Sequence, residues 1–103
     1  VLLGPHAEHT LDTLHAQTLF LSVGGIHARS LYNQNLLLVQ AEQKMMDRSQ
    51  RIVLLADSSK FGQQSLVQLC GLDQIDVVVA DANLSAEHRK QATDAGCELL
   101  IAE

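Results

Sequence analysis

Lys60 is the side chain in this sequence best placed to do chemistry. It sits in Leu55-Ala56-Asp57-Ser58-Ser59-Lys60-Phe61-Gly62, directly after the apolar run Ile52-Val53-Leu54. Its ammonium is a compact point charge suited to a phosphate or a sugar oxygen, and the Asp57 carboxylate accepts hydrogen bonds from hydroxyls. Ser58 and Ser59 add donors, and the backbone amides of a tight turn can cradle an anion. The same residues also describe a plain polar turn with a solvated lysine, because loops favour Asp, Ser and Gly without any ligand. Residue types alone leave both readings open.

Gly24-Gly25 permits close backbone approach or a positive φ. It lacks the third glycine of a dinucleotide fingerprint, and no phosphate-loop motif of the GxxxxGK[ST] type occurs. Tyr32, the single tyrosine, follows that loop and can stack on a ligand or pack at a rim. His27 lies in the loop and is a further contact candidate. His6, His9 and His15 share one expected helix, but no HExxH or Cys/His quartet accompanies them, so exposed histidines are expected rather than a metal site. Cys70 has apolar neighbours and no adjacent histidine, which favours a packed thiol. Met45 and Met46 are expected on the core face of their helix. No metal or cofactor is expected.

The 103 residues amount to one domain or part of one. A 47% apolar and 18% charged composition excludes a disordered tail, and a net charge of -5 argues against direct nucleic-acid binding. Two cysteines without a CxxC pair fit a reduced, cytoplasmic protein. No apolar run approaches the ~20 residues of a membrane span. The chain begins Val1-Leu2-Leu3-Gly4-Pro5, which reads as a strand end and a helix start, so a fragment of a longer protein is expected.

These candidates need elements to hold them. Ala7, Leu11 and Leu14 mark a short amphipathic helix, and Thr18 to Val23 a strand ended by Gly24-Gly25. Ser30 to Asn35 reads as polar and irregular, and Leu36 to about Asp47 as a helix. Arg51 to Ala56 is a buried strand, Asp57 to Gly62 a loop, and Ser65 to Leu72 is ambiguous between strand and helix turn. Asp76 to Ala80 is a buried strand. Ser85 caps a helix over Ala86 to Ala95, Gly96 ends it, and Glu98 to Ala102 is the last strand. Continuously apolar strands alternating with helices imply an α/β domain with a largely parallel sheet covered on both faces. Ligands of such sheets bind outside the carboxyl ends of the strands, which selects the Gly24-Gly25 and Asp57 to Gly62 loops.

In this order the motifs resemble the carboxyl-terminal effector-sensing domain of DeoR-type bacterial transcriptional repressors. The likeness rests on GPHAEHTLDTLHAQTLFLSVGGI (Gly4 to Ile26), the helix end EQKMM (Glu42 to Met46), RIVLLADSSKFG (Arg51 to Gly62) and LDQIDVVVAD (Leu72 to Asp81), then a helix and CELLIAE. The D-x-S-K element at a strand end is also similar to ribose-5-phosphate isomerase. The resemblance implies a Rossmann-like sheet, of the kind shared with glucosamine-6-phosphate deaminase and the CoA transferases, present here as a partial domain.

It further implies a phosphorylated sugar or related metabolite as ligand, with DNA contacted only through an amino-terminal helix-turn-helix absent from these residues. Lys60 matches the family lysine and Asp57 the acid before it. Gly24 and Gly25 fall on a loop that often reads Gly-Ala-Asp/Asn-Gly-Ile, so Gly24 replaces the usual Asp or Asn. The Gly-x-Thr of the next loop is Ser30-Leu31-Tyr32 here. Leu36 to Ala41 supplies no carboxylate where the isomerases place their catalytic glutamate, which favours a sensor over an isomerase or deaminase. Three leucines at that helix start exceed what one buried face needs, so a homo-oligomer contact through Leu36 to Leu38 is expected, with a ligand-independent oligomerisation domain as a third alternative.

Overall fold

The structure, a computed structural model, describes residues 16–102. The expected amino-terminal strand and helix, with His6, His9 and His15, lie outside the described residues. Among the described residues, seven strands and two α-helices follow in the order β1 (Ala16–Leu21), β2 (Gly25–His27), β3 (Ser30–Asn33), α1 (Leu36–Asp47), β4 (Ser49–Leu55), β5 (Val67–Gly71), β6 (Val77–Asp81), α2 (Ala86–Asp94) and β7 (Glu98–Ala102).

The main sheet is fully parallel, in the order β1-β4-β6-β7. Leu21 pairs with Leu54, Leu54 with Val78 and Val78 with Leu99. Side chains in register on parallel neighbours share a face, so these four apolar residues form one layer across the sheet. Leu54 and Val78 are fully buried there, each contributing roughly 1.5–3 kcal/mol through apolar burial. Both helices cover this layer: Val39 and Met46 of α1 and Ala92 of α2 belong to the same core cluster as Leu21, Leu54 and Val78. The strand order explains why these two helices, among the described residues, share a face. Each step from β1 to β4 and from β6 to β7 moves the same way along the sheet, and right-handed crossovers then put both helices on the same face. On the opposite face Phe20, Leu55 and Leu100 remain 63%, 45% and 47% exposed.

Local signals set the helix ends. Asn35 caps α1 by accepting the Leu38 N–H, and Ser85 caps α2 by accepting the His88 N–H. Gly96 takes φ +93° just past α2, the left-handed turn that lets a chain leave a helix with little strain.

Residues Ser30 to Asn33, expected to be irregular, form a strand instead. They belong to a second, antiparallel sheet in the order β2-β3-β5. Its hairpin turns through Ala28 and Arg29, with φ of 49° and 65°, so the Gly or Asn that normally marks such a turn is missing. Leu31 and Asn33 are buried while Ser30 and Tyr32 are half-exposed, so the strand alternates, with an asparagine on the inner side. The ambiguous Ser65 to Leu72 segment supplies β5. Among the described residues, no helix is long and apolar enough to cross a membrane.

Candidate functional site

At the carboxyl end of β4 the chain turns sharply through Ser58–Lys60. Asp57 starts this turn, its Oδ1 accepting the Ser59 N–H at 3.0 Å and the Ser59 hydroxyl. Asp81, at the carboxyl end of neighbouring β6, accepts the Ser58 N–H through Oδ2 at 2.9 Å and the Asn83 N–H through Oδ1 at 2.9 Å. The Ser58 amide holds the Asp81 carboxyl below its ordinary value, so it stays anionic. Asp57 and Asp81 are thus both engaged by donors of the Ser58–Lys60 turn. Lys60 itself is half-buried and makes no ion pair among the described residues.

The glycine loop is tied to this turn. Gly62 N–H donates to Ile26 O at 2.7 Å, and Ile26 bridges Phe61 in parallel. Lys60 and Asp57 therefore share one edge with Gly24 and Gly25, as the open-sheet rule anticipates. Gly25 has a further reason to be glycine: a Cβ there would lie 2.2 Å from the Gln63 carbonyl oxygen. Tyr32 pairs with Gly25 across the hairpin, and its carbonyl accepts the Gly24 N–H at 2.9 Å. His27 ends β2 as an exposed residue.

Three contributors carried no readable signal. His88 of α2 packs against Phe61, the residue after Lys60, with ring centroids 5.4 Å apart and planes tilted by 34°. Asn33 and Glu42 are both buried and joined by an Asn33 Nδ2 to Glu42 Oε1 bond of 2.6 Å. Burial pushes the Glu42 carboxyl up, partly opposed by that hydrogen bond. Glu42 lies just beyond the carboxylate-free Leu36 to Ala41, in the second turn of the helix, and is linked to the glycine loop through Asn33. Beside Gly24 opens a hollow of about 580 Å³ lined by Gln34, Gln64, Ser65 and Leu66, whose amides and hydroxyl suit a polyhydroxylated ligand.

Cys70 and Cys97 are buried free thiols. Burial, with Asp73 and Glu42 adding to it, pushes Cys70 up to about 12, far from the thiolate a nucleophile needs. Among the described residues no three metal-ligating side chains cluster.

Residues 1–82 match the DeoR C-terminal sensor domain. The chain is 32% identical over 96 residues to the HTH-type transcriptional regulator GlpR of Haloferax volcanii, covering 92% of this chain and 38% of that protein. It is 38% identical over 82 residues to the L-fucose operon activator of Haemophilus influenzae, covering 79% and 33%. Against the HTH-type transcriptional regulator UlaR of Shigella dysenteriae it is 34% identical over 82 residues, covering 80% and 33%. The chain thus spans about a third of the length of these curated relatives. The parallel sheet, the Lys60 turn at its carboxyl edge and these matches lead to one conclusion: the chain belongs to the DeoR family of transcriptional regulators, its residues 1–82 matching the C-terminal sensor domain.

Proposed function

We propose that this domain binds a phosphorylated sugar or related metabolite at the carboxyl edge of the parallel sheet, with Lys60 as the phosphate contact. The observation that carries the reading is the built turn around Lys60. Asp57 and Asp81 are bonded to the turn's backbone amides and Lys60 makes no ion pair among the described residues, which leaves its ammonium open to an anionic ligand. The hollow beside Gly24, lined by Gln34, Gln64, Ser65 and the exposed Leu66, offers partners for sugar hydroxyls, and Tyr32 borders the glycine loop. Asp57 acts by shaping the turn.

In the intact protein, ligand binding would shift the balance between quaternary arrangements and so change how a helix-turn-helix elsewhere in the polypeptide grips DNA, a linkage mechanism without turnover. Support comes from the relatives, two named HTH-type regulators and one named for an L-fucose operon. A cytoplasmic location follows from that role. Leu36 and Leu37, both exposed at the start of α1, favour a homo-oligomer formed through that helix end.

The test is thermal unfolding of the intact protein against a panel of pentose and hexose phosphates. A binder present at one hundred times its Kd stabilises by about 2.7 kcal/mol. Lys60→Ala is expected to abolish the shift. A panel with no active compound, or an unchanged shift in Lys60→Ala, overturns the reading.

A further inference from the structure

We infer that Asn33 and Glu42 are positioning residues of the effector site, a polar relay that fixes the glycine loop relative to the Lys60 turn. The inference rests on the effector-binding reading above for its functional half, and on geometry for the relay itself.

Gly24 N–H is shared between Tyr32 O and Asn33 Oδ1, both at 2.9 Å. On its other side Asn33 donates through Nδ2 to Glu42 Oε1 at 2.6 Å. The two partners fix the amide orientation. A flipped Asn33 would set its oxygen against a carboxylate and its NH2 against an N–H, losing both bonds. The relay therefore has one polarity: Gly24 donates to Asn33, and Asn33 donates to Glu42.

These two are the buried polar or charged side chains of the described residues, at 7% and 6% exposure. Burying a carboxylate is costly, and an apolar pair of similar volume usually serves a core as well or better. The task this pair performs that leucines could not is to hold Gly24. Its foundation is rigid. Glu42 stands on α1, and the next residue, Gln43, donates through Nε2 to Leu69 O at 3.0 Å, fastening that helix to β5. From Gly24 the chain runs through Gly25, pressed on the Gln63 carbonyl, to Ile26, whose own carbonyl accepts the Gly62 N–H. Setting Gly24 therefore sets the spacing between the glycine loop, the hollow lined by Ser65 and the turn that carries Lys60. Neither Asn33 nor Glu42 needs to touch the ligand.

A polarity swap tests this in the intact protein. Hydrogen exchange of the peptide containing Gly24 reads the relay. Thermal shifts with glucose 6-phosphate, fructose 1-phosphate and ribose 5-phosphate read the site. Asn33→Asp sets two carboxylates face to face, so exchange at Gly24 should accelerate about tenfold, the equivalent of one lost hydrogen bond, and the phosphosugar response should fall with it. Adding Glu42→Gln reverses the second bond. The new amide on α1 then donates to the new carboxylate on β3, whose other oxygen still accepts the Gly24 N–H. Both readouts should return to near the parental values. Glu42→Gln alone keeps an acceptor for Asn33 and should leave Gly24 protected.

If Asn33→Asp does not fold, the double variant decides, since the relay predicts that it folds with Gly24 protected. An unprotected Gly24 in the double variant overturns the inference. So does a double variant with Gly24 protected but no phosphosugar response, because Glu42 would then be contacting the ligand directly. A parental protein that answers to none of the three phosphosugars, with the exchange pattern following the swap, sinks the effector reading and leaves the relay standing.

Discussion

Asp81, the last residue of β6, accepts the Ser58 N–H at 2.9 Å and so fastens the Lys60 turn to the neighbouring strand. The turn is held from outside its own sequence, by a carboxylate 23 residues away. Asp81→Ala should therefore weaken phosphosugar binding without removing a ligand contact, visible as a reduced thermal shift. It should also alter acid stability in a defined direction. The folded carboxyl lies below its ordinary 3.8, so its contribution is present above that value and lost as pH falls through the lower folded value. Denaturant midpoints between pH 2 and 5 should fall less steeply with acid in Asp81→Ala than in the parent.

The adjacent glycines should respond differently to the same change. A Cβ at Gly25 meets the Gln63 carbonyl oxygen at 2.2 Å and its carbon at 2.7 Å, both backbone atoms that cannot rotate away. Gly25→Ala should cost on the order of 1–3 kcal/mol. At Gly24 the nearest atoms are 3.5–3.7 Å away, ordinary contact distances, so Gly24→Ala should stay within about 0.5 kcal/mol of the parent. Urea unfolding of the two variants is the comparison.

The β2–β3 turn invites stabilisation. Ala28 holds φ 49°, a region costing a residue with a Cβ about 1–2 kcal/mol. Ala28→Gly should relieve that, offset in part by roughly 0.5–1 kcal/mol of added unfolded-state entropy, for a net gain below about 1.5 kcal/mol. Gly96→Ala is the mirror experiment, since φ +93° with nothing within 4 Å isolates the backbone cost and should lower Tm.

Glu42 should give a pH signature opposite to that of Asp81. Burial raises its folded value above the ordinary 4.5. Its protonated form is therefore favoured by folding, a contribution complete below about pH 4.5 and lost as pH rises through the folded value. Glu42→Gln removes this titration. Relative to the parent, its Tm should improve progressively above pH 4.5 and then level off; a parallel pair of Tm–pH curves would contradict the raised carboxyl.

The locally coded parts of the fold were legible in the residues. Leu36 to Asp47 forms the expected helix, Ser85 caps the next, Gly96 ends it, and Glu98 to Ala102 is the last strand. Each depends on neighbours a few positions away: an apolar spacing, a side chain that reaches its own helix amides, a glycine free to take positive φ. The parallel sheet followed from unbroken apolar runs, which are stable only when flanked by other strands. The Asp57 to Gly62 turn was legible for the same reason, as polar residues abruptly following such a run.

The second sheet was not legible. Ser30-Leu31-Tyr32-Asn33 looks polar because Asn33 occupies an inward position, and only Glu42 on a later helix makes that position tolerable. The turn before it uses Ala28 and Arg29, and pairing with β5 about 40 residues onward holds them in place. Phe61 against His88, Ser58 on Asp81 and the Gly24–Asn33–Glu42 relay share this character. The sequence by itself determined the strands of the parallel sheet, the two described helices and the loop that carries Lys60, since these follow from short-range periodicity and capping. Only the tertiary structure decided what holds that loop and its glycine neighbour in place, because a buried polar group is stable only beside a partner, and the partners here lie far along the chain.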